Sequence, residues 1–237
     1  MAIELIAEVS TNHGGSVALA KEFIWRFAEA GADWIKFQHT RVKHLRPDDP
    51  QYEWFKKAEF SLEQFQELKA ECERAGVKYL TTVYNHQDVP EVQQLGLEAI
   101  KIGSGEACER PLLYAVTPFR RVFVSGGLGI ARSPAYLLQA PQWHIFATVT
   151  RYPAPHGLVP ARFSWMDTCV GWSDHCLGLE SCHVAIMRGA MLIEKHVQLP
   201  QQARPPRPFE ATVAEWKALR AFADEDSERF LGRWQHA

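Results

Sequence analysis

The sequence has no run of 18 or more apolar residues and so offers no transmembrane helix. Its start, MAIELIAEVSTNHGG, lacks the basic region of a signal peptide, and Glu4 and Glu8 interrupt the apolar stretch. A cytoplasmic location is therefore expected. Neither sign of charge is in excess: 26 Lys and Arg stand against 28 Asp and Glu, for a net charge of −2. That balance gives no electrostatic footprint for nucleic acid or for an anionic membrane. Cysteine is scarce. Cys72, Cys108, Cys169, Cys176 and Cys182 are odd in number and lack CxxC spacing, as expected of reduced cytosolic thiols rather than a disulfide framework. Cys176, Cys182 and His183 are near enough in sequence to suggest zinc, but small buried thiols on a helix are the simpler account.

What is present is ordinary for one globular domain: 237 residues, 46% hydrophobic and 23% charged. No linker to a second domain is visible, so residues 1–237 are read as one catalytic domain, a barrel over about 3–223 with a tail at 224–237. One local pattern recurs: a helical stretch, a glycine, then a short apolar run. It appears at AEAGADWIKFQ (28–38), ERAGVKYLTT (73–82), QQLGLEAIKIGS (93–104) and IMRGAMLIEKH (186–196). Glycine ends a helix in the left-handed conformation without steric cost, and the run after it suits a strand buried on both faces. Repetition of that unit is the grammar of a parallel α/β fold. Strands are expected near 3–8, 33–38, 78–82, 98–102, 121–125, 144–149, 168–172 and 191–195. Helices are expected near 16–30, 61–75, 87–95, 133–139, 178–188 and 212–223. Eight strands favour a closed (β/α)8 TIM barrel over a doubly wound sheet. The segment 39–60 is long for a loop, and the proline-rich PQQARPPRPFE (200–210) should cross the same face of the barrel.

Barrel active sites gather at the C-terminal ends of the strands. Those ends carry Glu8, Ser10, Asn12 and His13; Lys36 and Gln38; Thr81 and Thr82; Lys101, Ser104 and Glu106; Ser125; Thr148, Thr150, Arg151 and Tyr152; Ser173, Asp174 and His175; and Glu194, Lys195 and His196. Buried charge is costly unless paired, so apolar strands tipped this way make sense as a polar site on an apolar barrel. Two themes stand out. Lys36 and Lys101, with serine and threonine hydroxyls and the glycines at 103, 105, 126 and 127, suit anion capture. His175 and His196, with Glu8 and Glu194 nearby, suit Mn²⁺ or a similar divalent ion. Taken singly, each of these residues is equally at home in a salt bridge, a turn or a structural hydrogen bond. The remaining histidines (His39, His44, His86, His144, His156 and His236) are read as surface or loop residues.

The run IAEVSTNHGGSVALAKEFIWRFAEAGADWIKFQ resembles the opening of the N-acetylneuraminate (sialic acid) synthases. So do KIGSGE (101–106), VSGGLG (124–129), TRYPAP (150–155), VGWSDHCLG (170–178) and GAMLIEKH (189–196). The resemblance implies a phosphoenolpyruvate-dependent synthase on a TIM barrel, of the carbon–carbon bond-forming transferase type. It implies His175 and His196 as manganese ligands, and Lys36, Thr82, Lys101, Ser104, Ser125, Thr150 and Ser173 as the phosphoenolpyruvate site. Glu8 is implied near the reacting carbon, with Lys36, Lys101 and Glu106 as its catalytic companions. Gln38, Glu106 and Tyr152 are implied to face the sugar.

Departures from the family pattern fall on the sugar side. After the third strand, where the family has TPFD, the sequence reads TTVYN, with Val83, Tyr84 and Asn85 in the last three places. The loop 39–60 is shorter than usual. After EKH comes VQLPQQARPPRPFE in place of the family's PDH motif. Typical members also carry a C-terminal antifreeze-like (SAF) domain that completes a partner's site; a truncated member without it is expected, and a homodimer remains the family's usual state. The expected function is condensation of phosphoenolpyruvate with an aldose or other aldehyde, other than N-acetylmannosamine, to a 2-keto-3-deoxy sugar acid with release of phosphate. Arg151 and Arg207 are candidates to meet an anionic group on that acceptor. The alternatives are a metal-dependent aldolase or lyase on a related 2-oxo acid, and a non-catalytic sugar-acid-binding relative.

Overall fold

A computed structural model describes residues 2–127, 140–163 and 169–234. Eight parallel strands close into a barrel in sequence order: β1 (Glu4–Ser10), β2 (Trp34–His39), β3 (Lys78–Val83), β4 (Ala99–Ile102), β5 (Arg121–Ser125), β6 (Trp143–Thr148), β7 (Cys169–Asp174) and β8 (Leu192–His196). The expected TIM barrel is thus borne out, with each strand within about two residues of its place in the sequence reading. The helices described are α1 (Val17–Ala28), α2 (Tyr52–Ala58), α3 (Leu62–Arg74), α4 (Val89–Gln93), α5 (Arg110–Ala115), α6 (Glu180–Met187) and α7 (Val213–Trp234).

Local signals explain the units. Ser16 opens α1 by accepting from the Leu19 N–H, and its Ala20, Phe23, Ile24 and Phe27 form a buried stripe. Ser61 and Gln64 form a reciprocal capping box on α3, whose Phe65, Leu68 and Cys72 are buried. Gly31 and Gly76 end these helices with φ of 89° and 74°, a conformation that L side chains rarely adopt.

Several expectations are corrected. The segment 39–60 contains α2, whose short apolar pattern gave no clear helical period. Helix α5 follows β4, where none of the expected helices falls. The last helix runs to Trp234, so the tail expected from residue 224 continues that helix instead. The helix expected at 133–139 lies outside the described residues. His39 and His144, read as surface residues, are buried. His39 stacks on Phe65, and His144 points its Nδ1 at the Gln142 carbonyl.

Period-two alternation places the site. Residues facing helices, such as Leu5, Ala7, Ile35, Ile100, Val122 and Ile193, join the outer core. Inside the barrel, Ile6, Trp34, Leu80, Ala99, Phe123, Phe146, Val170 and Leu192 form an apolar plug. Trp34 and Phe146 each meet Phe123 edge-on, with ring centroids 5.7 and 5.5 Å apart. Gly171 opposes Phe146 across the strand pair, and a Cβ there would lie 2.8 Å from the Phe146 ring, so the plug needs glycine. Two residues beyond the plug, most strands present a polar group to the interior: Glu8, Lys36, Thr82, Lys101, Ser125, Thr148 and Glu194. This polar layer is the floor of the site.

Candidate active site

Strand register brings the floor together. Glu8 is paired with Lys36 on one side and with His196 on the other. Thr82 is level with Lys101, and Ser173 with Glu194. A cavity of about 330 Å³ opens above them. It is lined by Glu8, Lys36, Gln38, Thr82, Lys101, Ser104, Glu106, Ser125, Thr150, Tyr152, Ser173, His175 and His196, all singled out from the sequence. Tyr84, Thr148, Glu194, Gly103 and Gly105 complete the wall. The two glycine-bearing loops approach closely: a Cβ on Gly127 would lie 2.5 Å from Ser104 Oγ.

The buried charges form one network. Lys36 Nζ lies 2.8 Å from Glu8 Oε2 and 3.0 Å from Glu194 Oε2. Lys101 Nζ lies 3.3 Å from Glu194 Oε2 and donates to Ser125 Oγ at 2.6 Å. Ser173 Oγ donates to Glu194 Oε1 at 3.0 Å. Glu194, expected near the two histidines, lines the cavity with them and is also the counter-ion bridging the two lysines. Burial by itself would raise its pKa, but Lys101 and Lys36 outweigh that and hold it well below the usual carboxylate range. Burial likewise opposes the charge of Lys36, yet Glu194 and Glu8 keep it protonated. Lys101 is pulled down to about 8, first by burial, with Lys36 adding repulsion. Glu8 is pushed up to about 6 by burial, against the attraction of Lys36. Neither Glu8 oxygen is aligned for a hydrogen bond despite the contact with Lys36.

The two histidines stand beside this network with ring centroids 5.4 Å apart. Burial lowers the pKa of both, and for His196 the neighbouring His175 lowers it further, so both are neutral. The Nδ1 of His175 is 2.9 Å from the Val149 carbonyl, which fixes Nδ1 as the protonated nitrogen and leaves Nε2 with its lone pair. His196 Nδ1 is buried without a hydrogen-bond partner. Among the described residues no group of three or more His, Cys, Asp or Glu surrounds one point. Two imidazole donors with an open remainder still suit a divalent ion that keeps water or substrate oxygens.

Several predicted groups lie elsewhere. Asp174 and Lys195 alternate to the outer side of the barrel, where they form a buried ion pair. Trp172 Nε1 and Ser181 Oγ donate to Asp174 Oδ1 at 3.0 and 2.6 Å. That cluster ties β7 to β8 next to the two histidines. His13 stacks on Phe60 at 4.2 Å and accepts from the Gly15 N–H, so it is structural; burial lowers its pKa to about 3. Arg151 is exposed and is absent from the lining of both this cavity and its neighbour, although Thr150 and Tyr152 on either side of it line the site. Arg207 borders a second, adjoining cavity of about 410 Å³, but Glu210 takes its charge, with contacts of 2.8 and 2.7 Å. Arg204, in the same cavity, was missed. No local pattern in the proline-rich segment marked it, since its place depends on contacts with residues far away in sequence.

The sequence model of the NeuB family matches residues 23–225 of the chain. The chain belongs to the NeuB family. This NeuB-family chain is 29% identical over 231 residues to the N,N'-diacetyllegionaminic acid synthase of Campylobacter jejuni, a match covering 85% of the chain and 69% of that protein. It is 31% identical over 220 residues to the spore coat polysaccharide biosynthesis protein SpsE of Bacillus subtilis, covering 81% of the chain and 58% of that protein. The crystal structure of an N-acetylneuraminic acid (sialic acid) synthetase from Leptospira borgpetersenii has the same fold, with a TM-score of 0.84 at 23% identity; the match covers 97% of the chain and 85% of that structure.

Proposed function

We propose that the chain condenses phosphoenolpyruvate with an aldose or other aldehyde, releasing phosphate and forming a 2-keto-3-deoxy sugar acid. One observation carries this: two buried lysines, bridged by a buried carboxylate and ringed by hydroxyls, share a cavity with two histidines. Protonated Lys36 and Lys101 suit the phosphate and carboxylate of the enolpyruvate. Ser104, Ser125, Ser173, Thr82 and Thr150 supply further donors from the same wall.

The chemistry follows from charge. Carbon 3 of the enolpyruvate attacks the aldehyde carbon, and positive character develops at carbon 2. Glu8, next to Lys36 and with its pKa pushed up to about 6 by burial, suits stabilising that charge and taking a proton from the water that adds there. The adduct then collapses with loss of phosphate, which Lys36 and Lys101 hold. Glu106, whose pKa is raised by burial, and Gln38 and Tyr152 border the acceptor side. His175 and His196 would hold a divalent metal of the Mn²⁺ kind, which when bound would polarise the aldehyde oxygen.

The acceptor we infer is an aldehyde other than N-acetylmannosamine. The supporting observation is that the chain has its own sugar-side wall: Tyr84 stands where the family has TPFD, and Arg204 and Arg207 stand where it has PDH. The test is a phosphate-release screen of the purified protein with phosphoenolpyruvate, Mn²⁺ and a panel of aldoses and aldehydes. Brisk release with N-acetylmannosamine and with nothing else would overturn the acceptor proposal.

A further inference from the structure

The second cavity differs from the first in its charge. The first holds three carboxylates, from Glu8, Glu106 and Glu194, against two lysines. The second is lined by two arginines and no carboxylate, together with the hydroxyls of Ser10, Thr11 and Thr40. It adjoins the first through Gln38, Tyr84, Tyr152 and His196, which border both. An acceptor with its aldehyde end in the first cavity, beside Gln38 and Tyr152, can therefore extend its other end toward the arginines.

The two arginines are not equivalent. Arg207 is neutralised by Glu210, as described above. Among the described residues Arg204 has no carboxylate within ion-pair distance. Its guanidinium lies 4.1 Å from the centroid of the Trp54 ring. One of its terminal nitrogens donates to Thr11 Oγ1 at 3.0 Å, and Trp54 Nε1 donates to the same oxygen at 2.9 Å. Stacking and one hydrogen bond hold the planar fork in place while leaving most of its donors uncommitted. Burial, and then the repulsion of Arg207, make its charge less favourable where it stands. An anion in the cavity would reverse that.

We propose that the second cavity is a subsite for an anionic group, a phosphate ester or a carboxylate, on the end of the acceptor remote from its aldehyde, with Arg204 as its principal partner. The subsite rests on the enolpyruvyl synthase function proposed above, and it deepens that function by giving the acceptor a charge. It also assigns a role to two parts of the chain that the reaction itself leaves idle. The segment 39–60 supplies Trp54, and the proline-rich segment supplies Arg204.

Calorimetry with non-reacting acceptors tests the subsite directly. Phosphoenolpyruvate is titrated first into the intact protein with Mn²⁺. A six-carbon alditol, its terminal phosphate ester and its terminal carboxylate are then titrated separately. The charged alditols should bind at least about tenfold tighter than the neutral one, and comparison of the two identifies the preferred anion. Arg204→Ala should abolish that difference, and Arg204→Lys, which keeps the charge but not the stacked fork, should restore part of it. Thermal unfolding verifies that each variant is folded, with Arg204→Gln as the replacement if the alanine variant is not. Equal affinity for neutral and charged alditols, or a preference that survives loss of Arg204, would overturn the subsite. Failure of phosphoenolpyruvate to bind would instead sink the synthase function, while the alditol series would still decide the role of Arg204.

Discussion

Glu8 sits where charge, burial and register meet. Its strand register sets it between Lys36 and His196, and burial pushes its pKa up to about 6. If its carboxylate form acts, the rate falls as pH drops below about 6, where Glu8 takes up a proton. Glu8→Gln should reduce kcat by about 10²–10⁴ and remove that acid limb from the pH profile. An unchanged profile in the variant would assign the limb to another group. His175 should matter for the metal. Equilibrium dialysis against Mn²⁺ should show His175→Ala binding at least about tenfold more weakly, because one of two imidazole donors is gone. Unchanged metal content would remove the two-histidine site from the account.

Among elements, the 200–210 segment is tied down by Arg204 on Thr11 and by a buried carboxylate. Glu210 accepts from Asn12 Nδ2 at 3.1 Å, from Gln202 Nε2 at 3.2 Å and from the Arg207 N–H at 2.9 Å, besides its ion pair with the Arg207 side chain. Glu210→Ala leaves these donors and a cation without their partner, at a cost of about 3–5 kcal/mol. Urea unfolding should register that loss, and a drop below about 1 kcal/mol would mean the segment is held by other contacts. The same segment marks the boundary of what was legible in the sequence. The barrel was readable because each helix–glycine–strand unit is local, and because alternation sends Ile6 and Glu8, or Trp34 and Lys36, to the same interior. The lysines, serines and histidines of the site were readable for that reason. Arg204 was not, since its position depends on Trp54 and Thr11, which no period connects to it. The place of Glu194 beside the histidines was legible, but its bridging of two lysines was not, because Lys36 and Lys101 stand on distant strands. Lys195 and Asp174 sit one residue out of phase with the interior face, a distinction that strand ends alone do not reveal.

For the whole molecule, buried histidines set the response to acid. His13 and His39 have pKa values lowered to about 3 and about 4, chiefly by burial, so they stay neutral in the folded chain. In the unfolded chain each titrates near its ordinary value of 6.5. Between that value and about 4 the unfolded state binds more protons, and stability falls as pH falls. Glu8 acts in the opposite direction between 4.5 and about 6, because the folded chain retains a proton that the unfolded chain loses. Burial lowers the pKa of His144, His175 and His196 as well, and together the histidines outweigh Glu8 and Glu106, so stability falls as pH falls toward 5.5. Urea midpoints at pH 7.5 and 5.5 should show it, and His13→Asn should lessen the difference. No helix among the described residues is long and apolar enough to cross a membrane. The barrel, its lysine pair and its histidine pair would together perform one reaction. Its most direct test is phosphate release from phosphoenolpyruvate in ¹⁸O-labelled water, with Mn²⁺ and an accepted aldehyde. Water adding at carbon 2 predicts aldehyde-dependent release of phosphate that carries no label. Labelled phosphate, or no release with any aldehyde, would contradict the account.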